Sequence, residues 1–91
     1  MGKEVVLFKS EEKMTARESA ALLRTLADKI EKGKVVLSQG KQEVTMKVPD
    51  RVEVEIKAEK ESGKRKTKKK IEVEIEWLVG GSAKSGPVKV K

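Results

Sequence analysis

The chain is 91 residues long, 41% charged and 2% aromatic, with a formal net charge of +7 and neither His nor Cys. At this length there is room for one domain with one modest core, burying roughly 60 to 65% of the surface of the unfolded chain. The missing Cys excludes disulfides, thiolate metal sites and thiol nucleophiles and fits a reducing interior.

Taken in chain order, EVVLFKS at 4–10 is rich in β-branched and aromatic residues and reads as a strand. Thr15 followed by Glu18 in TARE has the form of a capping box, in which the hydroxyl and the carboxylate each satisfy a free backbone donor of the other. From there Ala16, Ala20, Leu23, Leu26, Ala27 and Ile30 recur at helical spacing and are expected to face a sheet. Leu22, on the flank of that stripe, is expected to be partly exposed. Gly33 closes the helix as a left-handed cap.

Beyond Gly33 the apolar period changes from 3.6 to 2. KVVLS at 34–38 turns through Gly40 into QEVTMKV, which reaches the next strand through PDR. Pairing Val48 with Val52 sets Met46 against Val54 and Val44 against Ile56, while Lys47 meets Glu53 and Glu43 meets Lys57 on the other face. In the last hairpin, Val52 aligns with Trp77, Val54 with Ile75, Ile56 with Val73 and Ala58 with Ile71. That register matches Lys57 with Glu72 and Glu59 with Lys70, and it carries two like-charge oppositions, Glu55 with Glu74 and Glu53 with Glu76. The expected fold is α+β: one helix on a mainly antiparallel sheet of four to five strands, in the order β-α-β-β-β-β. The domain is expected to span 1–79, with 80–91 as a flexible basic tail.

Trp77, the only Trp, continues the parity of Ile71, Val73 and Ile75, so its expected place is structural, at the rim of the core. The alternatives are stacking on a ligand or a subunit interface. Phe8, Val6, Val36 and Leu78 point away from the core by the same alternation. Phe8, Val36 and Leu78 are therefore candidate interface residues, or singly exposed apolar side chains of the ordinary kind.

The run VVLFKSEEKMTARESAALLRTLADKIEKGKVVL, followed by EVTMKVPDRVEVEIKAE and closed by IEVEIEW, resembles the Amphi-Trp domain, named for an amphipathic strand that ends in Trp. The resemblance covers roughly residues 5 to 78, as numbered here. It implies a small α+β domain whose biochemical role is unassigned. The basic loop and the tail lie outside the pattern that carries it.

General acid–base and nucleophilic sites usually need His, Cys, a perturbed carboxylate pair or a hydroxyl with a base beside it, and here only carboxylates remain. Glu53, Glu55, Glu72, Glu74 and Glu76 form a flat stripe, whereas a hard-cation site needs a loop that curls oxygens inward. SGKRKTKKK lacks the glycine spacing of a phosphate loop. The protein is expected to be non-enzymatic and to need no metal or cofactor.

Charge position says more than charge total. Residues 60–70 hold seven basic groups and one acid, and the tail from Gly80 adds three Lys, while the rest of the chain is slightly acidic. A basic hairpin tip on such a body attracts nucleic acid, acidic protein tracts or membrane head groups. With no aromatic residue in the loop, sequence-specific single-strand recognition is disfavoured. Two readings follow. In one, Lys64, Arg65, Lys66, Lys68, Lys69 and Lys70 bind nucleic acid or another polyanion through its charge, without sequence preference. In the other, the domain is a protein-interaction module or homo-oligomer, using an open sheet edge or the Phe8 surface, and the Lys run only keeps the hairpin soluble. The apolar runs are far too short to insert in a membrane, and the N-terminus lacks the apolar stretch of a secretory signal, so the expected location is cytoplasmic. A bias to Lys and Glu, with Asn absent, leans toward a heat-adapted source.

Overall fold

A computed structural model describes residues 2–80; of the expected basic tail, all but Gly80 lies outside the described residues. The fold is α+β, with one helix and four strands in two antiparallel two-stranded sheets. The chain divides into two compact units, Met1–Asp50 and Arg51–Lys91.

In the first unit, helix α1 runs Ala16–Glu31. Its start is fixed by the reciprocal bonds that TARE predicts. The Glu18 N–H donates to Thr15 Oγ1 at 3.0 Å, and the Thr15 N–H donates to Glu18 Oε1 at 3.0 Å. Two of the helix's orphan donors are thereby satisfied. At the other end Lys32 is the C-cap, Gly33 follows at φ +87°, and their N–H groups donate to Asp28 and Ile30 carbonyls. An L side chain at Gly33 would be strained, because that φ brings its Cβ too near the backbone.

Strands β1 (Lys34–Gln39) and β2 (Gln42–Lys47) pair through a two-residue turn, Gly40–Lys41. Gly40 sits at φ +58° and Lys41 does not have positive φ, the combination that a type II′ hairpin turn needs. The register pairs Val35 with Met46 and Leu37 with Val44 on one face, and Val36 with Thr45 on the other. A further bond from the Val48 N–H to the Gly33 carbonyl, 2.9 Å, extends the ladder by one step. The helix packs on β1, and the side chains that lose solvent are Ala20, Leu26 and Ile30 of the helix with Val35, Leu37, Val44 and Met46 of the hairpin. Val35, 6% exposed, is the one buried hydrophobic residue among those described.

Two expectations are corrected in this unit. Residues 4–10 form no strand. Only Lys9 is bonded in a strand-like way, and by a side chain: its N–H donates to Gln42 Oε1 at 3.2 Å, and Gln42 Nε2 donates to its carbonyl at 3.1 Å. The Gln42 amide thus imitates one residue of a neighbouring strand, while Val5, Val6 and Leu7 stay exposed and find no ladder to join. The second correction is Leu23, which is 55% exposed and so lies outside the contact. The packed stripe is centred on Ala20, Leu26 and Ile30, with Ser19 half-buried beside it, while Ala16 and Ala27 are exposed. Leu22 is exposed.

The second unit is a long hairpin of β3 (Glu53–Ser62) and β4 (Thr67–Glu76), joined by the loop Gly63, Lys64, Arg65 and Lys66. The register is the one that charge and hydrophobic matching predict: Val54 opposite Ile75, Ile56 opposite Val73, Ala58 opposite Ile71, Lys57 opposite Glu72 and Glu59 opposite Lys70. The two Glu–Glu oppositions are present as well. Side chains alternate between faces, so one side of the hairpin is apolar and the other begins acidic and becomes mixed toward the tip. Trp77, directly after β4, is half-buried.

Candidate functional site

The basic tip is built by the β3–β4 register. Ser62 pairs with Thr67, and the Gly63 N–H donates to the Lys66 carbonyl at 2.7 Å, so a four-residue loop is closed by a short backbone bond. A Cβ at Gly63 would stand 3.2 Å from that carbonyl oxygen, which is why the smallest residue starts the loop. Three of its four residues, Lys64, Arg65 and Lys66, are basic and exposed. All three charges stand in solvent at the end of the arm.

Below the loop the alternation divides the Lys run. Lys68 pairs with Glu61 and Lys70 with Glu59 on the acidic side, while Lys69 lies on the apolar side, opposite Lys60. Lys70 Nζ is 3.3 Å from Glu59 Oε1 and 3.2 Å from Glu72 Oε1. The Glu72 carboxylate, and Glu59 after it, holds the Lys70 ammonium above its ordinary pKa. In return the hydrogen bond from Lys70, aided by its charge and that of Lys57, holds the Glu72 carboxyl below its ordinary value. Lys70 is thus paired with two carboxylates, for which a ligand would have to compete. Among the described residues, no carboxylate lies within ion-pair distance of Lys64, Arg65, Lys66, Lys68 or Lys69.

The structure adds Lys60 to the residues expected from sequence. It faces Lys69 across the ladder, with Ala58 and Ile71 next along the same face, and these four side chains line an open shallow hollow together with Glu59 and Lys70. Two cations directly opposite repel each other, and an anion seated between them would relieve that repulsion. Extending the register two residues past Ala58 and Ile71 was the signal that could have found the pair.

At the base of the same hairpin Glu53, Glu55, Glu74 and Glu76 gather on the opposite face. Among the described residues no group of three or more carboxylates is arranged to hold a metal ion. The hairpin is therefore electrically polarised, acidic at its base and basic at its tip. About nine residues of strand at roughly 3.3 Å each separate the two ends by about 30 Å, several screening lengths at physiological salt.

Phe8 is half-buried and Val36 exposed in the first unit, and Leu78 is exposed in the second. Among the described residues, no helix is long and apolar enough to cross a membrane.

No curated protein and no solved structure matches the chain. The Amphi-Trp domain model matches residues 1–91, so the match includes the basic loop and the residues after Val79, which the sequence resemblance over 5 to 78 left out: the chain belongs to the Amphi-Trp domain family.

Proposed function

We propose that this domain is a non-enzymatic binder of polyanions, nucleic acid first among them, which it holds without sequence preference through the tip of the β3–β4 hairpin. The carrying observation is the loop itself, three exposed basic residues in four, closed by the Gly63–Lys66 bond at the end of a ten-residue arm. Lys60 and Lys69 continue the charge down one face. Lys70 is excluded by its two carboxylates, and Lys68 is weakened by standing opposite Glu61. No base-stacking aromatic stands in the loop, so affinity comes from phosphate contacts. A cytoplasmic setting, where nucleic acid is abundant, suits this role.

The test is fluorescence anisotropy of labelled duplexes of unrelated sequence, titrated with the full chain as salt is raised. About four phosphate contacts give a log–log salt slope of roughly −3 to −4, with dissociation constants of about 10⁻⁴ to 10⁻⁶ M near physiological salt. Equal affinity for all sequences is expected. Absence of binding at about 50 mM salt would remove the proposal, because screening there is weak.

For the fold we infer, further, that the two hairpins join as one antiparallel meander in which Val48 pairs with Val52. The support is the sequence register together with face identity: Met46 and Val44 lie on the solvent-poor face of their hairpin, and Val54 and Ile56 lie on the apolar face of theirs. Cross-strand nuclear Overhauser contacts between the Met46 and Val54 backbones would test the pairing, and their absence would leave two separate hairpins.

A further inference from the structure

The two faces of the β3–β4 hairpin differ in charge balance toward the tip. On one face the rows Lys57 with Glu72, Glu59 with Lys70 and Glu61 with Lys68 each set a base against an acid, so their charges cancel. On the other face the rows are Ala58 with Ile71, Lys60 with Lys69 and Ser62 with Thr67, which supply two ammonium groups, two hydroxyls and no carboxylate. The phase of the ladder brings these donors together. Antiparallel pairs alternate between hydrogen-bonded and non-hydrogen-bonded, and the bond from the Gly63 N–H to the Lys66 carbonyl sets which are which. Counting down from it, Glu61–Lys68 and Glu59–Lys70 are bonded pairs, and Ser62–Thr67 and Lys60–Lys69 are non-bonded ones. Non-bonded pairs have Cα atoms about 4.5 Å apart and the closer side chains. Among the described residues neither hydroxyl makes a hydrogen bond and neither ammonium makes an ion pair.

We propose that Lys60, Ser62, Thr67 and Lys69 form a seat for one phosphate group of a nucleic-acid backbone. This rests on the reading of the tip as a polyanion binder, and within it names the residues that hold a phosphate by geometry as well as by charge. The two rows lie two residues apart along the strands, about 6.6 Å, a distance that the flexible four-carbon stem of a lysine spans. A phosphate above the Ser62–Thr67 row accepts from both hydroxyls beneath it, while the Lys60 and Lys69 ammonium groups close on it from one side. Its oxygens point to the corners of a tetrahedron, so they meet donors from beneath and from the side together. The two oxygens of a carboxylate share one plane with their carbon and satisfy one set of donors or the other. A bound phosphate also supplies the negative charge that the facing lysines lack, relieving their repulsion. Hydroxyl and ammonium donors to phosphate oxygens position a backbone and read no base, in keeping with binding that ignores sequence.

The test separates hydroxyls from charge. Ser62→Ala with Thr67→Val removes both hydroxyls, keeps a β-branched residue in β4 and leaves the net charge at +7. In duplex titrations of the full chain by anisotropy, the double variant should bind about tenfold more weakly than the parent. Its salt slope should stay that of the parent, because no cation is lost, whereas Lys60→Gln should lower the slope by about 1. Poly-glutamate, which offers carboxylates alone, should bind parent and double variant equally, and a tenfold loss there too would overturn the assignment to phosphate. A parent that binds duplex as tightly after the double substitution as before overturns the seat and leaves the reading of the tip in place. A parent that binds no duplex at about 50 mM salt removes both. Should the double variant unfold, the parent still decides: its Thr67 methyl resonance should shift on titration with duplex while that of Thr45 stays, and a Thr67 resonance that does not move overturns the seat.

Discussion

Glu53 and Glu76 stand directly opposite each other on β3 and β4, and the Glu76 carboxyl is held above its ordinary pKa by the hydrogen bond it shares with Glu53, by the Glu53 charge, and then by Glu74. An acid whose folded pKa is raised binds its proton more tightly when folded, so it favours the folded state at low pH. That advantage is lost as pH climbs from the unfolded value of 4.5 through the folded one. Glu76→Gln should therefore raise the Tm at pH 7 and leave it nearly unchanged near pH 3. A thermal melt series in low salt checks this, and added salt should shrink the difference by screening.

Glu18 and Glu72 act in the opposite sense. The Thr15 N–H, followed by the Thr15 hydroxyl partnership, holds the Glu18 carboxyl below its ordinary value. Stability from such a group is present above 4.5 and is lost as pH falls through the lowered folded pKa. Thr15→Ala should cost about 1 kcal/mol by urea denaturation at pH 7, since it removes the acceptor for the Glu18 N–H. The same substitution should leave the Glu18 carboxyl closer to its ordinary titration, read by the pH dependence of its carbon-13 carboxyl shift.

Val35 and Val36 are neighbours with opposite fates. Val35 is buried where α1 packs on β1, and Val36 is exposed beside Thr45. Val35→Ala should cost about 2 kcal/mol, from lost apolar burial and the space left behind, and Val36→Ala under about 0.5 kcal/mol. A larger cost at Val36 than at Val35 would show that the hairpin presents its other face to the helix.

Trp77 is half-buried rather than enclosed. Trp77→Ala is expected to cost about 2 kcal/mol, roughly half the value for a fully buried aromatic. Its emission in dilute solution should fall between that of free indole in water and that of an apolar core.

Lys66 and Lys70 separate charge from availability. Lys66→Gln should reduce the salt slope of duplex binding by about 1, because a phosphate contact is lost. Lys70→Gln should change it little, since Lys70 is already held by Glu59 and Glu72. A Lys70 variant that binds as poorly as the Lys66 variant would show those carboxylates yielding to the ligand.

What sequence alone determines here is what short-range rules govern. Thr15 and Glu18 are three residues apart, so their capping box needs only the first turn of the helix. Gly33 and Gly40 mark backbone conformations that disfavour a Cβ, and both lie at positive φ. The β3–β4 register was legible because a slip of one residue would put Ile56 and Val73 among the carboxylates, a penalty spread over ten positions. Tertiary structure decided the rest. A strand exists only through its partner, so Val5, Val6 and Leu7 carry strand propensity without a strand, while the Gln42 amide holds Lys9 instead. Leu23 fits the helical period, but the side of the stripe that touches β1 depends on how the helix is rotated over the hairpin, which no spacing within the helix specifies. The Lys run reads as one cluster along the chain. In the folded hairpin the pleat sends Lys68 and Lys70 toward carboxylates and Lys69 toward Lys60, because successive side chains of a strand must leave on opposite faces.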